Sequence, residues 1–432
     1  MNTGKLLFST AVVLFFMWEI SYAQNLNPQH KTVIKKENNS WQIIRNDKPY
    51  FVRGAGGSGH LKELVACGGN SIRTWDSKDG INILDNAEKN GLTVLMGLKV
   101  TPERHGFNYD DTTAVKKQLD RMRSEVLKLK DHAALLAWGI GNELNLDYKN
   151  PKVWNAINDI ALMIHELDPN HPVTTVLAGI NKREVDYIKA AGNNIDFLSV
   201  NTYGGLANLP REIVLAGWDG AYMVTEWGPT GHWECLQTPW KSAIEETSSE
   251  KAAVYKTRYE YGIEKDKTKC LGSYVFLWGQ KQERTPTWYG LFTEAGEVSE
   301  VMNVIQYLWT GSWPLNKAPH VYSFQINNRK ANDYIYLKPG ISLPISAVVT
   351  DPENDKLTYR WEILPEPEKL SQGGDKEEKS LSIRNAFSKN NANGKVTMLT
   401  PNKEGAYRVF VYATDGHHNV ATANIPFYVK NN

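Results

Sequence analysis

Two glutamates stand out by where they fall. Glu143 ends the run Leu135-Leu-Ala-Trp138-Gly-Ile-Gly141-Asn142-Glu143, and Glu226 closes Tyr222-Met-Val-Thr225-Glu226, with Trp227-Gly228 after it. Each run is short and continuously apolar, as strands buried on both faces are. A lone glutamate at a strand end is ordinarily a solvated loop residue. Two of them, one preceded by Asn and the other followed by Trp-Gly, form a less ordinary pair. Two carboxyl groups across one pocket can split a glycosidic bond: one protonates the leaving oxygen, and the other attacks the anomeric carbon or activates water.

That chemistry requires elements that bring both glutamates to one opening. Eight short apolar runs supply them: Phe51–Ala55, Ser71–Trp75, Thr93–Val100, Leu135–Ile140, Val173–Leu177, Asp196–Tyr203, Tyr222–Glu226 and Ser273–Trp278. Glu143 follows the fourth and Glu226 ends the seventh. Helical periodicity fills several gaps. It covers 80–90, stopped by Gly91, then 112–131, where Val115, Leu119, Met122, Val126 and Leu129 share a face, then 152–167 and 297–309. Strand-then-helix units over 51–314 predict an α/β fold, a (β/α)8 TIM barrel whose strand C-termini carry the catalytic groups. The rival is a doubly wound open sheet with a dinucleotide turn. Gly54-Ala-Gly-Gly-Ser-Gly59 is glycine-rich, but the strand after it ends in Arg73-Thr74-Trp75 and offers no acidic partner for a ribose.

The flanks read differently. Asn38-Asn39 and Asn46-Asp47 are turn pairs, so 24–50 is expected as an N-terminal β-hairpin capping the barrel. From 315 to 432 the pattern becomes short alternating strands: Val321–Ile326, Tyr334–Leu337, Leu343–Thr350, Leu357–Ile363, Val396–Thr400, Tyr407–Thr414 and Ala421–Val429. Seven of these predict a C-terminal immunoglobulin-like β-sandwich. The charged stretch 365–380 reads as an exposed loop between them. Asp351, Asp355 and Asp415 have the chemistry of calcium ligands but read as turn residues. At the other end, Lys5, the apolar run Leu6–Trp18 and Ser21-Tyr22-Ala23 resemble a cleaved signal peptide over 1–23. A secreted or periplasmic protein is expected, and Gln24 in place of Cys argues against a lipid anchor. No other run is long and apolar enough to span a membrane.

Composition narrows the function. Lys plus Arg number 49 and Asp plus Glu 48, so the chain lacks the basic excess of a nucleic-acid binder. Cys67, Cys235 and Cys270 are too few for a disulfide framework and lack zinc spacing, although Cys235 and Cys270 could pair. The 14 Trp and 20 Tyr leave many aromatics to line a sugar-binding cleft.

Gly141-Asn142-Glu143 and Thr225-Glu226-Trp227-Gly228 resemble the two catalytic motifs of clan A glycoside hydrolases. So do Pro49-Tyr-Phe-Val-Arg-Gly54 and Asn70-Ser-Ile-Arg73-Thr-Trp75, and the resemblance spans residues 40–310. It implies that Glu143 is the acid/base and Glu226 the nucleophile of a retaining reaction, their carboxyls about 5–5.5 Å apart. It implies further that Asn142 binds the sugar 2-hydroxyl, that Arg73 holds Glu226 ionised, and that Tyr203 hydrogen-bonds Glu226. Trp278 would be the aromatic floor under the sugar, and Trp75, Trp227, Trp233 and His232 would line the cleft. Repulsion from ionised Glu226 is expected to raise the Glu143 pKa.

Within the clan the chain is most similar to family 158, endo-β-1,3-glucanases. The shared features are the short barrel after a signal peptide, the interval between the glutamates and one C-terminal immunoglobulin-like domain. This implies cleavage of laminarin-type glucan with no metal or organic cofactor, and a polysaccharide or oligosaccharide as partner. β-Galactosidase- and β-glucuronidase-type enzymes, β-mannanases and glucanosyltransferases share the two glutamates. A non-catalytic glycan-binding barrel would need the aromatics but not both carboxylates. The segment 229–270 is expected in the cleft wall, and the C-terminal domain as a spacer packed on the barrel.

Overall fold

The computed structural model describes residues 30–371, 374–388 and 393–431. The leader-like segment 1–23 lies outside the described residues. Three antiparallel strands come first: β1 (Thr32–Glu37), β2 (Ser40–Arg45) and β3 (Lys48–Tyr50). The expected hairpin thus gains a third strand, because the Asn46-Asp47 pair, both at positive φ, turns the chain once more. This small sheet plugs one end of the barrel. Ile43 is buried there with Val52, Leu136, Phe197 and Tyr274, and the Arg45 guanidinium donates to the carbonyls of Ala133 and Leu135.

The eight apolar runs form a closed parallel barrel. Its strands are β4 (Val52–Gly56), β5 (Ser71–Arg73), β6 (Thr93–Leu98), β7 (Leu135–Ile140), β8 (Val173–Ala178), β9 (Phe197–Asn201), β10 (Tyr222–Trp227) and β11 (Cys270–Val275). Closure is the pairing of β11 with β4, Gly272 to Val52 through Val275 to Ala55. Helices α1 (Leu61–Ala66), α2 (Gly80–Lys89), α3 (Thr112–Leu129), α4 (Lys152–Leu167), α5 (Lys182–Ala190), α6 (Leu209–Leu215), α7 (Ser248–Tyr259) and α8 (Glu300–Thr310) lie between and after the strands. Local chemistry explains their starts. Asp111 caps α3 by accepting from Thr113 and Ala114, and Thr247 with Glu250 forms a reciprocal capping box on α7. The last strand begins and ends three residues earlier than the sequence pattern suggests, which leaves Trp278 beyond its end.

All seven expected C-terminal strands are present: β12 (His320–Ile326), β13 (Ile335–Leu337), β14 (Ser342–Thr350), β15 (Thr358–Pro365), β16 (Lys395–Leu399), β17 (Gly405–Thr414) and β18 (Val420–Val429). They make two sheets, β12-β14-β16 and β13-β18-β17-β15, which share one apolar core. Trp361, partly buried, packs against that core beside Phe324 and Phe387. Asp351, Asp355 and Asp415 each bring a carboxylate oxygen within 4.8 Å of the others. Asp351 accepts from the N–H groups of Glu353 and Asp355, and Asp415 from those of His417 and Asn419, which are turn-closing bonds.

The sandwich is fastened to the barrel by buried polar groups. Arg408 reaches the carbonyl of Ala243 at 2.7 Å, and Asn424 donates to Glu245 at 2.6 Å. Glu245 is in turn paired with Lys251 on α7. Such groups are costly to bury unless every partner is present, so they fix the relative placement of the two halves. All three cysteines are free, so Cys235 and Cys270 do not pair.

Candidate active site

The strand C-termini open into a cavity of about 1040 Å³ that contains both glutamates. Glu143 leaves β7 by a sharp turn. Gly141 has φ 70° and Glu143 itself φ 50°, and the Glu143 N–H is tied to the carbonyl of Val176 at 2.9 Å. A left-handed conformation is costly for a residue with a Cβ and is held only where surrounding bonds impose it. Arg104 adds one such bond by donating to the Glu143 carbonyl at 3.1 Å. Glu226 is within β10 and needs no special turn.

Three donors converge on the Glu226 carboxylate. Arg73 Nη1 donates to Oε1 at 2.9 Å, Trp75 Nε1 to the same oxygen at 2.7 Å, and the Tyr203 hydroxyl to Oε2 at 3.0 Å. Arg73 and Glu226 are both almost wholly buried, so this ion pair lies out of reach of bulk water. Trp75 reaches the site because Gly97 on β6 lets the β5 exit pass close by. A Cβ there would fall 2.5 Å from the Trp75 carbonyl carbon.

A second chain of bonds ties the two carboxylates together. Arg73 Nη2 donates to Asn142 Oδ1 at 2.6 Å, and Asn201 Nδ2 donates to the same oxygen at 3.2 Å and to Glu143 Oε1 at 2.9 Å. Thr225 orients Asn201 by donating to its Oδ1 at 2.9 Å. Burial pushes the Glu143 carboxyl up to about 7, and the charge of Glu226 adds to this. Asn201, Arg73 and Arg104 oppose the rise. The expected cause, repulsion from Glu226, is therefore present but second to desolvation. Burial and the neighbouring Glu226 also push the Tyr203 hydroxyl well above its usual range, so it serves as a neutral donor.

The structure brings Glu143, Glu226, Asn142, Arg73, Tyr203 and Trp75 into one site, with His232 and Trp233 on its wall. It does not bring Trp227 or Trp278. Trp227 follows Glu226, so strand alternation turns it outward, where it packs on Tyr255 and Tyr259. Trp278 donates its indole N–H to the carbonyl of His60 and packs between Phe292 and Trp309. Phe276 and Leu277 line the cavity at that strand end instead. Asn201 and Arg104 escaped the sequence reading. Asn201 ends the sixth barrel strand, two residues before Tyr203, and that position was the available signal. Within 229–270, only His232, Trp233 and Glu234 line this cavity. Behind them Glu283 binds His232 at 3.3 Å and Lys281 at 2.6 Å. Burial works against ionisation of Glu283, but these two partners outweigh it and hold the carboxyl below its usual range.

Known proteins place this barrel. Residues 70–213 match the family model described as glycosyl hydrolases family 2, TIM barrel domain. No curated protein matches the chain. Among solved structures it is similar to a Faecalibacterium prausnitzii β-glucuronidase, at 18% identity and TM-score 0.50 over 65% of this chain and 52% of that one. A GH2 β-galacturonidase from Eisenbergiella tayi, bound to galacturonate, gives 17% and 0.51 over 65% and 54%. A Bacteroides uniformis β-glucuronidase gives 14% and 0.50 over 92% and 48%. The chain thus spans about half the length of the structures it matches. At these identities the likeness is one of fold, a TIM barrel. The matching model is that of family 2, and none of these comparisons supports family 158.

Proposed function

We propose that this protein is a retaining glycoside hydrolase acting on a β-linked glycan, with Glu143 as acid/base and Glu226 as nucleophile. The observation that carries the reading is the pair itself: a carboxyl pushed up to about 7 beside a carboxylate held by three donors. Neutral Glu143 protonates the glycosidic oxygen as its bond to the anomeric carbon breaks. A Glu226 oxygen attacks that carbon from the opposite face and forms an ester. Glu226 is then uncharged, so one of the two causes that raise Glu143 is gone. Ionised Glu143 next takes a proton from water, whose oxygen bonds the anomeric carbon and displaces Glu226. Burial persists through both steps, so the Glu143 carboxyl falls only part of the way back. That suits a group that must accept a proton and later return it.

For substrate we take internal cleavage of laminarin-type β-1,3-glucan as the first reading. Its support is the sequence resemblance to family 158 and a cavity at the upper end of the usual range for ligand sites, about 300–1,000 Å³. The C-terminal sandwich is then of immunoglobulin type and the leader-like segment an export signal. A second reading, cleavage of β-linked uronides, draws on the names of the solved relatives and on Arg104. This cation lines the cavity, and its Nε is buried without a partner among the described residues. Products on laminarin, curdlan, mixed-linkage glucan, galactan, mannan, xylan and aryl β-uronides separate the two. Short β-1,3 oligomers, lost in both Glu143→Gln and Glu226→Gln, are expected. Cleavage of uronides alone would replace the first reading with the second, and no cleavage of any substrate would remove the hydrolase reading.

A further inference from the structure

The catalytic cavity does not end at the barrel. A second cavity of about 1060 Å³ adjoins it on the sandwich side. His232, Trp233, Arg284 and Leu370 line both. Three of these belong to the barrel and Leu370 to the sandwich segment after β15. The far cavity is walled by Gln237 and Trp240 from the barrel and by Arg384 and Tyr407 from the sandwich.

Trp233 stands on the ridge between the cavities and is 55% exposed. What sets this exposed indole apart from others on the surface is its place, on the lining of both cavities, where its apolar face is available to a sugar ring. Its placement is fixed from below. Trp233 meets the rings of Tyr203 and His232 edge-on, at 5.4 and 4.8 Å. Tyr203 holds the nucleophile, so Trp233 is one ring removed from the reacting carboxylate.

The opposite side of the ridge is fixed as well. Glu377, with no exposed side-chain surface, accepts from the Arg284 N–H at 2.7 Å, from Arg284 Nη1 at 3.0 Å and from Gln282 at 3.2 Å. It also accepts from the N–H and hydroxyl of Ser371, at 3.1 and 3.2 Å. Arg284 Nη2 completes the knot on the carbonyl of Ser371. A buried carboxylate with five donors is a staple, and it holds the sandwich segment against the barrel mouth beside Glu283. The segment 365–380, expected to be a free surface loop, is in this part a wall of the site.

We propose that the glycan chain leaves the catalytic cavity over Trp233 and continues into the groove between barrel and sandwich, so that the C-terminal sandwich supplies distal sugar-binding subsites. The ligand class is a β-linked oligosaccharide longer than the catalytic cavity alone can hold. The inference rests on the hydrolase reading and deepens it toward internal cleavage of polymers. Trp233 is its stacking platform, Leu370 its opposite lip, and Glu377 the positioning residue that keeps the lip in place.

The test uses the full chain and the oligosaccharide ladder, two to eight sugars long, of the polymer that the protein cleaves. In Glu226→Gln, calorimetric affinity should keep rising with length beyond the sugars that fill the catalytic cavity. Trp233→Ala in that background should cut octasaccharide affinity about tenfold, the size of a lost aromatic anchor, and disaccharide affinity far less. In the active enzyme, Glu377→Gln should lower the ratio of kcat/KM on octasaccharide to that on disaccharide. A merely structural role would lower both alike. Affinity that is flat with length, or losses equal for long and short chains, would overturn the groove and leave the hydrolase standing. So would cleavage of aryl glycosides but of no polymer. Cleavage of nothing would overturn the hydrolase reading and this one with it.

Discussion

Glu143→Gln should make the protein more stable, and only above a definable pH. The carboxyl is raised from its usual 4.5 to about 7, chiefly by burial. At about 1.36 kcal/mol per pH unit, holding it ionised in the folded state costs ~3 kcal/mol. Solvent in the open cavity screens part of this, so the figure is an upper bound. The sign follows from proton binding. Between 4.5 and 7 the folded chain binds a proton that the unfolded chain has released, so stability falls as pH rises through this window. Below 4.5 both states hold the proton and the cost vanishes. Glutamine does not titrate, and its amide oxygen can still accept from Asn201, so the substitution removes the charge while keeping the bond. Urea unfolding midpoints for wild type and Glu143→Gln, measured at each pH from 4 to 8, test this directly. The advantage of the variant should be least at pH 4, grow through pH 5 and 6, and level off above 7. The same group should set the basic limb of the wild-type kcat/KM profile near pH 7, since the acid must start protonated. A stability difference that does not change with pH, or one that shrinks as pH rises, would refute the assignment of a raised pKa to Glu143.

Two further substitutions separate site from scaffold. Trp75→Phe keeps the ring but removes the indole donor 2.7 Å from Glu226, and should lower kcat about 10- to 100-fold, as the loss of a ~1.5–3 kcal/mol bond to a charged group implies; an unchanged kcat would show that the bond has no part in turnover. Trp278→Ala removes a buried core indole, and should cost about 3–5 kcal/mol in thermal or urea stability, with KM unaltered in the fraction that remains folded; a raised KM at full stability would return Trp278 to the sugar site.

The barrel was legible because buried parallel strands leave a plain trace. Leu135–Ile140 and Tyr222–Trp227 are wholly buried, and their sequences are correspondingly almost free of polar residues until the glutamates. Arg73 and Tyr203 were reached by another route, the resemblance of their motifs to those of clan A glycoside hydrolases, and the structure sets both on the Glu226 carboxylate. What escaped depends on contacts between residues far apart in the chain. Asn201 is an ordinary polar strand end until the fold sets it between Asn142 and Glu143. Glu377 sits in a charged stretch that reads as solvated, and only the docking of sandwich on barrel buries it under Arg284. Trp227 and Trp278 failed in the opposite way. Aromatic type suggested the cleft for Trp227 and the clan A resemblance implied the sugar floor for Trp278, but one residue of alternation and a strand that ends at Val275 send both rings into packing.

Glu143 opposes the fold twice over. Its backbone sits at φ 50°, a left-handed conformation that costs roughly 1–2 kcal/mol for a residue with a side chain. Its carboxyl is buried where ionisation is disfavoured, and among the described residues its side-chain donor is the neutral amide of Asn201 rather than a cation. Either cost alone has structural precedents in turns and in buried acids. The two together on one residue are hard to explain as scaffolding, because many other side chains at this position would relieve the second and glycine would relieve both. Arg73, the guanidinium between the two carboxyls, is bound to Glu226 and Asn142. The arrangement thus places the Arg73 charge on the nucleophile, and at the acid the charges of Arg73 and Arg104 offset only part of what burial and Glu226 impose. A carboxyl pushed up by burial, beside a carboxylate bound directly by a buried arginine, is what an acid/base and nucleophile pair requires.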